Sequence, residues 1–565
     1  MTLHVSVLAI ALALAVPVPA SASALPDGGQ FGAGVHEWAA TRITGGDFVR
    51  TADGVDAARV DITGHAGLVI DGGRFRTLQP VDFTHGIELS RGRSLSLYNK
   101  VAPVDGTAGA DAGFNLYTEG EVRELFASGN QERIVQAFTS ADAKGSSPAI
   151  TEAAVLAALR AANGVANARN QVAWQLTAGS GNLVVNGGEF DFHSANQNLV
   201  QALAGSLVWN GGTLESKGGG GETVLRGSTG IEILGGSIHS LGAIDGTPTP
   251  IQYDDRRRLD RDRWTLGKYL ALITNGDINI GRSGQPGGPD LRVSDGMLRI
   301  AATTPPDKTN PAKAPQRINL LAGAITLEGK HRSTLLSLER GFDIETVING
   351  GTLNVSTDRS LVNTPAESAS LWNMRTVLED GTINLDNSQI IGKDNVIKGG
   401  VVNLAGRSAF YGPTGTLVVS GGTINLGPEA FVGAIRGDSK ARSPYPTSQH
   451  DLTITGGTLN FRVAAPGSGQ ALVVGTHIGG IYAGDNDASR QSKPTLTIGP
   501  GVTLNLDTSA LLPGEYTVAD FVSVDAGDGT LAIAAPIQLG GSAERYTGTL
   551  DTDGRLTLKV KPVQP

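Results

Sequence analysis

One phrase recurs along the chain and limits what it can fold into: two glycines, then alternating polar and apolar residues. It reads Gly187-Gly188-Glu189-Phe190-Asp191-Phe192, Gly211-Gly212-Thr213-Leu214 and Gly235-Gly236-Ser237-Ile238. It returns as Gly350-Gly351-Thr352-Leu353-Asn354-Val355, Gly381-Thr382-Ile383-Asn384-Leu385 and Gly399-Gly400-Val401-Val402-Asn403-Leu404. Gly421-Gly422-Thr423-Ile424-Asn425-Leu426, Gly456-Gly457-Thr458-Leu459-Asn460-Phe461 and the variant Gly501-Val502-Thr503-Leu504-Asn505-Leu506 complete it. Gly188, Gly212 and Gly236 lie 24 residues apart, Gly381 and Gly400 lie 19 apart, and Gly400 and Gly422 lie 22 apart. Wider gaps, such as 35 from Gly422 to Gly457, contain loop-like insertions.

Such a period fits one turn of a solenoid, which needs three short strands and their corners at ~3.3 Å per residue. The glycines turn the corner, because they accept backbone conformations that a Cβ forbids. Strand alternation then predicts that Leu353, Ile383, Val402, Ile424 and Leu459 point inward, while Asn354, Asn384, Asn403, Asn425 and Asn460 form an outward ladder. Stacking buries an aliphatic column that no single repeat can bury alone. An antiparallel sandwich would show hairpin turns of the Asn-Gly type. Asn210-Gly211 and Asn349-Gly350 occur only inside the recurring phrase, and propeller repeats are longer. The expected fold class is all-β, a right-handed single-stranded parallel β-helix with a small helical insertion and a C-terminal β cap.

Composition supports this. Glycine reaches 78 of 565 residues, aromatics are 5% and apolar residues 40%, which suits many small aliphatic layers. A formal charge of −9 argues against a general nucleic-acid partner, and the absence of cysteine excludes disulfides and thiolate metal sites.

Residues 1–24 read as an export signal. Val5 to Val18 is almost uninterruptedly apolar, Pro17 and Pro19 end its helical part, and Ala20-Ser21-Ala22-Ser23-Ala24 offers cleavage after Ala22 or Ala24. No later segment approaches the ~20 apolar residues of a membrane span, so the expected location is periplasmic, cell-surface or extracellular. A β-rich start of the solenoid is expected over 25–117, a helical insertion over 118–177, the β-helix over 178–510 and the cap over 511–565. The helical reading rests on Val122, Leu125, Phe126, Val135 and Phe138 within Glu119 to Phe138, and on Val155, Leu156 and Leu159 within Ile150 to Ala162.

The glycine phrases resemble the autotransporter passenger family and its associated β-strand repeats. Gly514-Glu515-Tyr516-Thr517-Val518 and Arg555-Leu556-Thr557-Leu558-Lys559-Val560 are similar to the module that ends such passengers. The resemblance covers roughly 180–560, without the outer-membrane barrel of that family, and implies an exported, surface-associated β-helix.

Candidate site residues fall in three places. Asp191, Glu215 and His239 each stand three residues after a second glycine, so stacked coils at about 4.8 Å make them neighbours that acid-base chemistry could use. The Arg256-Arg257-Arg258 run, among acidic neighbours, is a candidate for anionic glycans or acidic surfaces. Arg436-Gly437-Asp438 spells an integrin-recognition tripeptide. No phosphate-cradling loop, calcium repeat or zinc-ligand spacing is present, so no cofactor and no metal are expected. Two functions follow: a non-catalytic adhesive or structural surface protein, with cell-surface glycans or host matrix proteins as partners, and as alternative a carbohydrate-active β-helix enzyme, a polysaccharide lyase or glycoside hydrolase. The first is favoured. Oligomeric state is left open.

Overall fold

The computed structural model describes most of 36–50, 60–77, 172–241, 269–301, 316–329, 344–357, 375–432, 451–462 and 495–562, with shorter stretches at 28–31, 88–95, 119–136, 151–156, 334–337 and 369–372. Strand dominates it, mostly in parallel sheets of 24 and 12 members. The larger sheet is two ladders merged, because Ile344–Thr357, Arg375–Asp386, Asp451–Arg462 and Thr495–Asp507 each run through the corner between them. One coil is thus three strands, as in Val172–Ala178, Leu183–Val185 and Glu189–His193. These belong to what we name the third, first and second ladders. The next coil stacks on it in parallel register, Leu176 on Val200, Leu183 on Leu207 and Phe190 on Leu214. The chain is a parallel β-solenoid, as the repeat predicts.

The second ladder carries the glycine phrase. Its inward column runs Phe48, Phe75, Phe190, Leu214, Ile238, Leu291, Ile325, Leu353, Ile383, Val402, Ile424, Leu459, Leu504, and every member is buried. The five residues assigned inward from sequence all lie in this column. At its N-terminal end the fill is aromatic: Phe75 stacks on Phe48 at 5.0 Å and on Phe190 at 4.9 Å. A fully buried side chain of this size stabilises by ~1.5–3 kcal/mol, so the stack is built from many similar contributions.

The corner glycines are required by close approach. Gly236 has φ +75°, and a Cβ there would sit 2.3 Å from the carbonyl oxygen of Gly212, one coil below. Every described corner from the first to the second ladder is short, except 281–289. The segments 78–171, 242–268, 302–315, 358–368 and 433–450 each adjoin a strand of the third ladder, and a further long segment, 463–494, separates the last two long strands of the larger sheet.

Two expectations about the insertion change. The helix Glu119–Ala127 forms and buries Val122, but it does not continue to Phe138. Ser128 returns its hydroxyl to Glu124 O, Gly129 takes φ +73°, and the helix stops there. Val135–Gln136 is instead a strand, antiparallel to Arg93–Leu95, consistent with the strand preference of a β-branched residue. In the second helical stretch, Glu152, Ala153 and Leu156 are helical and Leu156 is buried. The ladder register places the interruption between Arg74–Thr77 and Val172–Ala178. Phe138, Val155 and Leu159 lie outside the described residues, as do 1–24, Arg256 to Arg258 and Arg436 to Asp438.

The C-terminal cap is a four-stranded antiparallel sheet, in the order Gly514–Val518, Leu556–Val560, Tyr546–Leu550, Ile537–Leu539. Thr530–Ile533 still pairs in parallel with Thr495–Asp507, so the cap grows out of the last coil and ends its parallel edge. No helix among the described residues is long and apolar enough to cross a membrane.

Candidate functional site

The outer face of the second ladder is the surface that alternation aims at solvent, and it carries the catalytic candidates. Its central column reads Arg76, Asp191, Glu215, His239, Arg292, Thr326, Asn354, Asn384, Asn403, Asn425, Asn460, Asn505. Asp191, Glu215 and His239 are therefore consecutive neighbours, about 4.8 Å apart from coil to coil. Arg292 and Thr326 continue the column but escape a reading based on glycine pairs, because Pro289 and a single Gly323 precede their strands. Period-two alternation after any corner residue would have found them.

The face divides into two halves of different chemistry. In the N-terminal half, charges of opposite sign pair across coils. Arg74 Nε meets Glu189 Oε2 at 2.6 Å, Arg76 pairs with Asp47, and Arg292 Nε lies 2.8 Å from Glu328 Oε1. His239 Nε2 lies 2.8 Å from Asp290 Oδ2, on the next coil. The hydrogen bond to Glu189 raises the pKa of Arg74 above its ordinary value. Among the described residues no group of three potential metal ligands converges.

In the C-terminal half the column is neutral. Asn384, Asn403, Asn425 and Asn460 each donate from Nδ2 to the Oδ1 of the asparagine one coil earlier, at 2.7–2.8 Å. Asn505 continues this to Asn460 at 2.9 Å, and Asn354 ends the row on the Thr326 hydroxyl at 3.2 Å. Beside it runs a second neutral column, Thr352, Thr382, Val401, Thr423, Thr458, Thr503. An interior amide of such a ladder spends one of its two N–H groups and one oxygen lone pair on its neighbours.

A trough of about 870 Å³ opens over Asn403, Asn425, Asn460 and Asn505. Its origin is a change of side-chain size at the strand ends. Ala405, Gly406 and Gly427 leave space, whereas Arg462 and Asp507, paired in register, stand up on the following coils. Tyr546 of the cap belongs to the lining, and its hydroxyl accepts the Leu506 N–H at 2.8 Å. Ser509, through its hydroxyl and backbone N–H, holds the Asp507 carboxyl below its ordinary pKa, and the Arg462 charge adds to this. Sequence reasoning assigns the Asn ladder but misses the trough, which depends on Ala405 and Gly427 and on a tyrosine from the cap.

Comparison with known protein families, with curated proteins and with solved structures returned no match.

Proposed function

We propose that the chain is an exported, non-catalytic β-solenoid of the autotransporter-passenger kind, acting as an adhesive or structural surface protein. The observation that supports this best is the outer face of the second ladder. Its amides hydrogen-bond to one another along the axis in one half, and its charges pair across coils in the other. Such a face offers a long regular surface. The apolar run Val5 to Val18 with its small-residue site supports export. Arg436-Gly437-Asp438 adds a host-matrix partner to this reading.

The test is cell fractionation with an adhesion assay on immobilised glycans and matrix proteins, run beside a glycan-turnover assay. Surface location with adhesion and no turnover is expected. Loss of matrix adhesion in Asp438→Glu would assign that part to the tripeptide. The second reading, a polysaccharide lyase or glycoside hydrolase, draws on the register of Asp191, Glu215 and His239. Turnover abolished by Asp191→Ala or Glu215→Ala, with folding intact, would establish it instead.

A further inference from the structure

We infer that the trough over Asn403, Asn425, Asn460 and Asn505 binds a neutral polysaccharide, with the glycan chain lying along the solenoid axis. The inference deepens the adhesive reading above and rests on it.

Three observations carry it. The first is chemistry. The floor is a row of half-buried amides, each with one N–H and at least one lone pair beyond those used in the ladder. A neighbouring pair of sugar hydroxyls, each a donor and an acceptor, satisfies such a group on both sides. The second is charge. The Asn column and the Thr column beside it are neutral over successive coils, while the N-terminal half of the same face is dense in ion pairs. An anionic polymer finds no row of cations on this floor, and a neutral one leaves no floor charge to desolvate. The third is shape. The stretch from Ala405 to Asp507 is concave, walled by Arg462 and Asp507 and bounded at the cap by Tyr546. The floor repeats every ~4.8 Å, close to the advance of one pyranose ring in an extended chain, so successive sugars meet successive amides in equivalent settings. Polar groups on a shallow, open floor fit reversible binding of a polymer over several subsites, where weak contacts add.

The experiment uses the full mature chain in affinity electrophoresis and calorimetry. Mixed-linkage β-glucan, galactomannan and xylan serve as neutral probes, and polygalacturonate as the anionic one. At least one neutral probe should bind, and more tightly than polygalacturonate. Ala405→Arg, which lays a long side chain across the trough from an exposed position, should weaken binding about tenfold or more. Arg462→Ala removes an exposed wall residue, tests the same site should Ala405→Arg fold poorly, and should also weaken binding. Glu189→Gln, on the charged half, should leave binding unchanged. Binding by none of the neutral probes, tighter binding of polygalacturonate, or neutral binding untouched in folded variants would overturn the inference. Failure of the underlying reading looks different. Adhesion that persists without neutral-glycan binding removes only the trough, whereas release of cleaved glycan removes the non-catalytic reading itself.

Discussion

Ile424 and Asn425 are adjacent in sequence and belong to opposite environments: Ile424 is 1% exposed in the aliphatic column, while Asn425 donates to Asn403 at 2.7 Å on the outer face. The solenoid is this alternation repeated at every coil.

Truncation should separate the two. Ile424→Ala removes buried methylenes and leaves a cavity, at a cost of roughly 2–5 kcal/mol. Asn425→Ala breaks two ladder bonds, each worth about 0.5–1.5 kcal/mol net, on a partly solvated face. Denaturant unfolding midpoints should fall further for Ile424→Ala. A larger fall for Asn425→Ala would mean that the faces are reversed.

Glycine substitutions should scale with close approach. Gly236→Ala meets a carbonyl at 2.3 Å in addition to a left-handed φ, whereas Gly129 has φ +73° with nothing within 4 Å. Backbone strain alone costs roughly 1–2 kcal/mol, which is the expectation for Gly129→Ala, and Gly236→Ala should exceed it. Gly45→Ala, with nothing within 4 Å and no left-handed φ, should be nearly neutral. Thermal unfolding of the three variants gives the order directly.

Glu345 is buried between two partners, Arg317 at 2.7 Å and Arg375 at 3.0 Å, which come from the coils on either side. Either arginine can be lost while the other still compensates the carboxylate. Removing both leaves a buried charge alone, at roughly 3–5 kcal/mol. The double variant Arg317→Ala/Arg375→Ala should therefore lose more stability than the two single losses add to, and a double-mutant cycle measures the excess. Strict additivity would show that solvent already neutralises Glu345.

Asp507 gives a pH signature. Its folded pKa lies below the ordinary 3.8, chiefly through hydrogen bonds from Ser509. A depressed carboxylate stabilises the fold above its unfolded pKa, and this contribution disappears as pH falls through the lower, folded value. Ser509→Ala should move the Asp507 titration upward, as read by NMR, and should start the acid loss at a higher pH. An unmoved titration would assign the depression to the backbone N–H of residue 509 and the Arg462 charge, both of which the substitution leaves in place.

The second ladder was legible in the sequence because one of its faces is wet: Thr and Asn alternate with Leu, Ile and Val behind a recognisable glycine. The third was not. Its outward residues Val224, Ala271 and Ala301 are buried like their inward neighbours, so the strands lack the period-two contrast. The helical reading of Val135 failed for a related reason, since a short apolar spacing fits either period and Gly129 decided between them. The Asp191, Glu215 and His239 column was readable from equal spacing. The trough was not, because it is set by missing side chains at Ala405 and Gly427 and by a cap that returns to the last coil.

The asparagine row has a consequence of its own. From Asn384 to Asn505 every amide donates toward the N-terminal end, so the side-chain dipoles add head to tail instead of cancelling. Turning one amide over would set two oxygens face to face on one side and two N–H groups on the other. The row therefore has two consistent orientations, all one way or all the other, and Thr326 at its head, able to accept the Asn354 N–H, fits the one observed. An aspartate at position 425 would cut this arrangement, because it accepts from both neighbours and donates to neither. The segment on its N-terminal side would then be free to reverse, so a single residue can flip the polarity of part of this row.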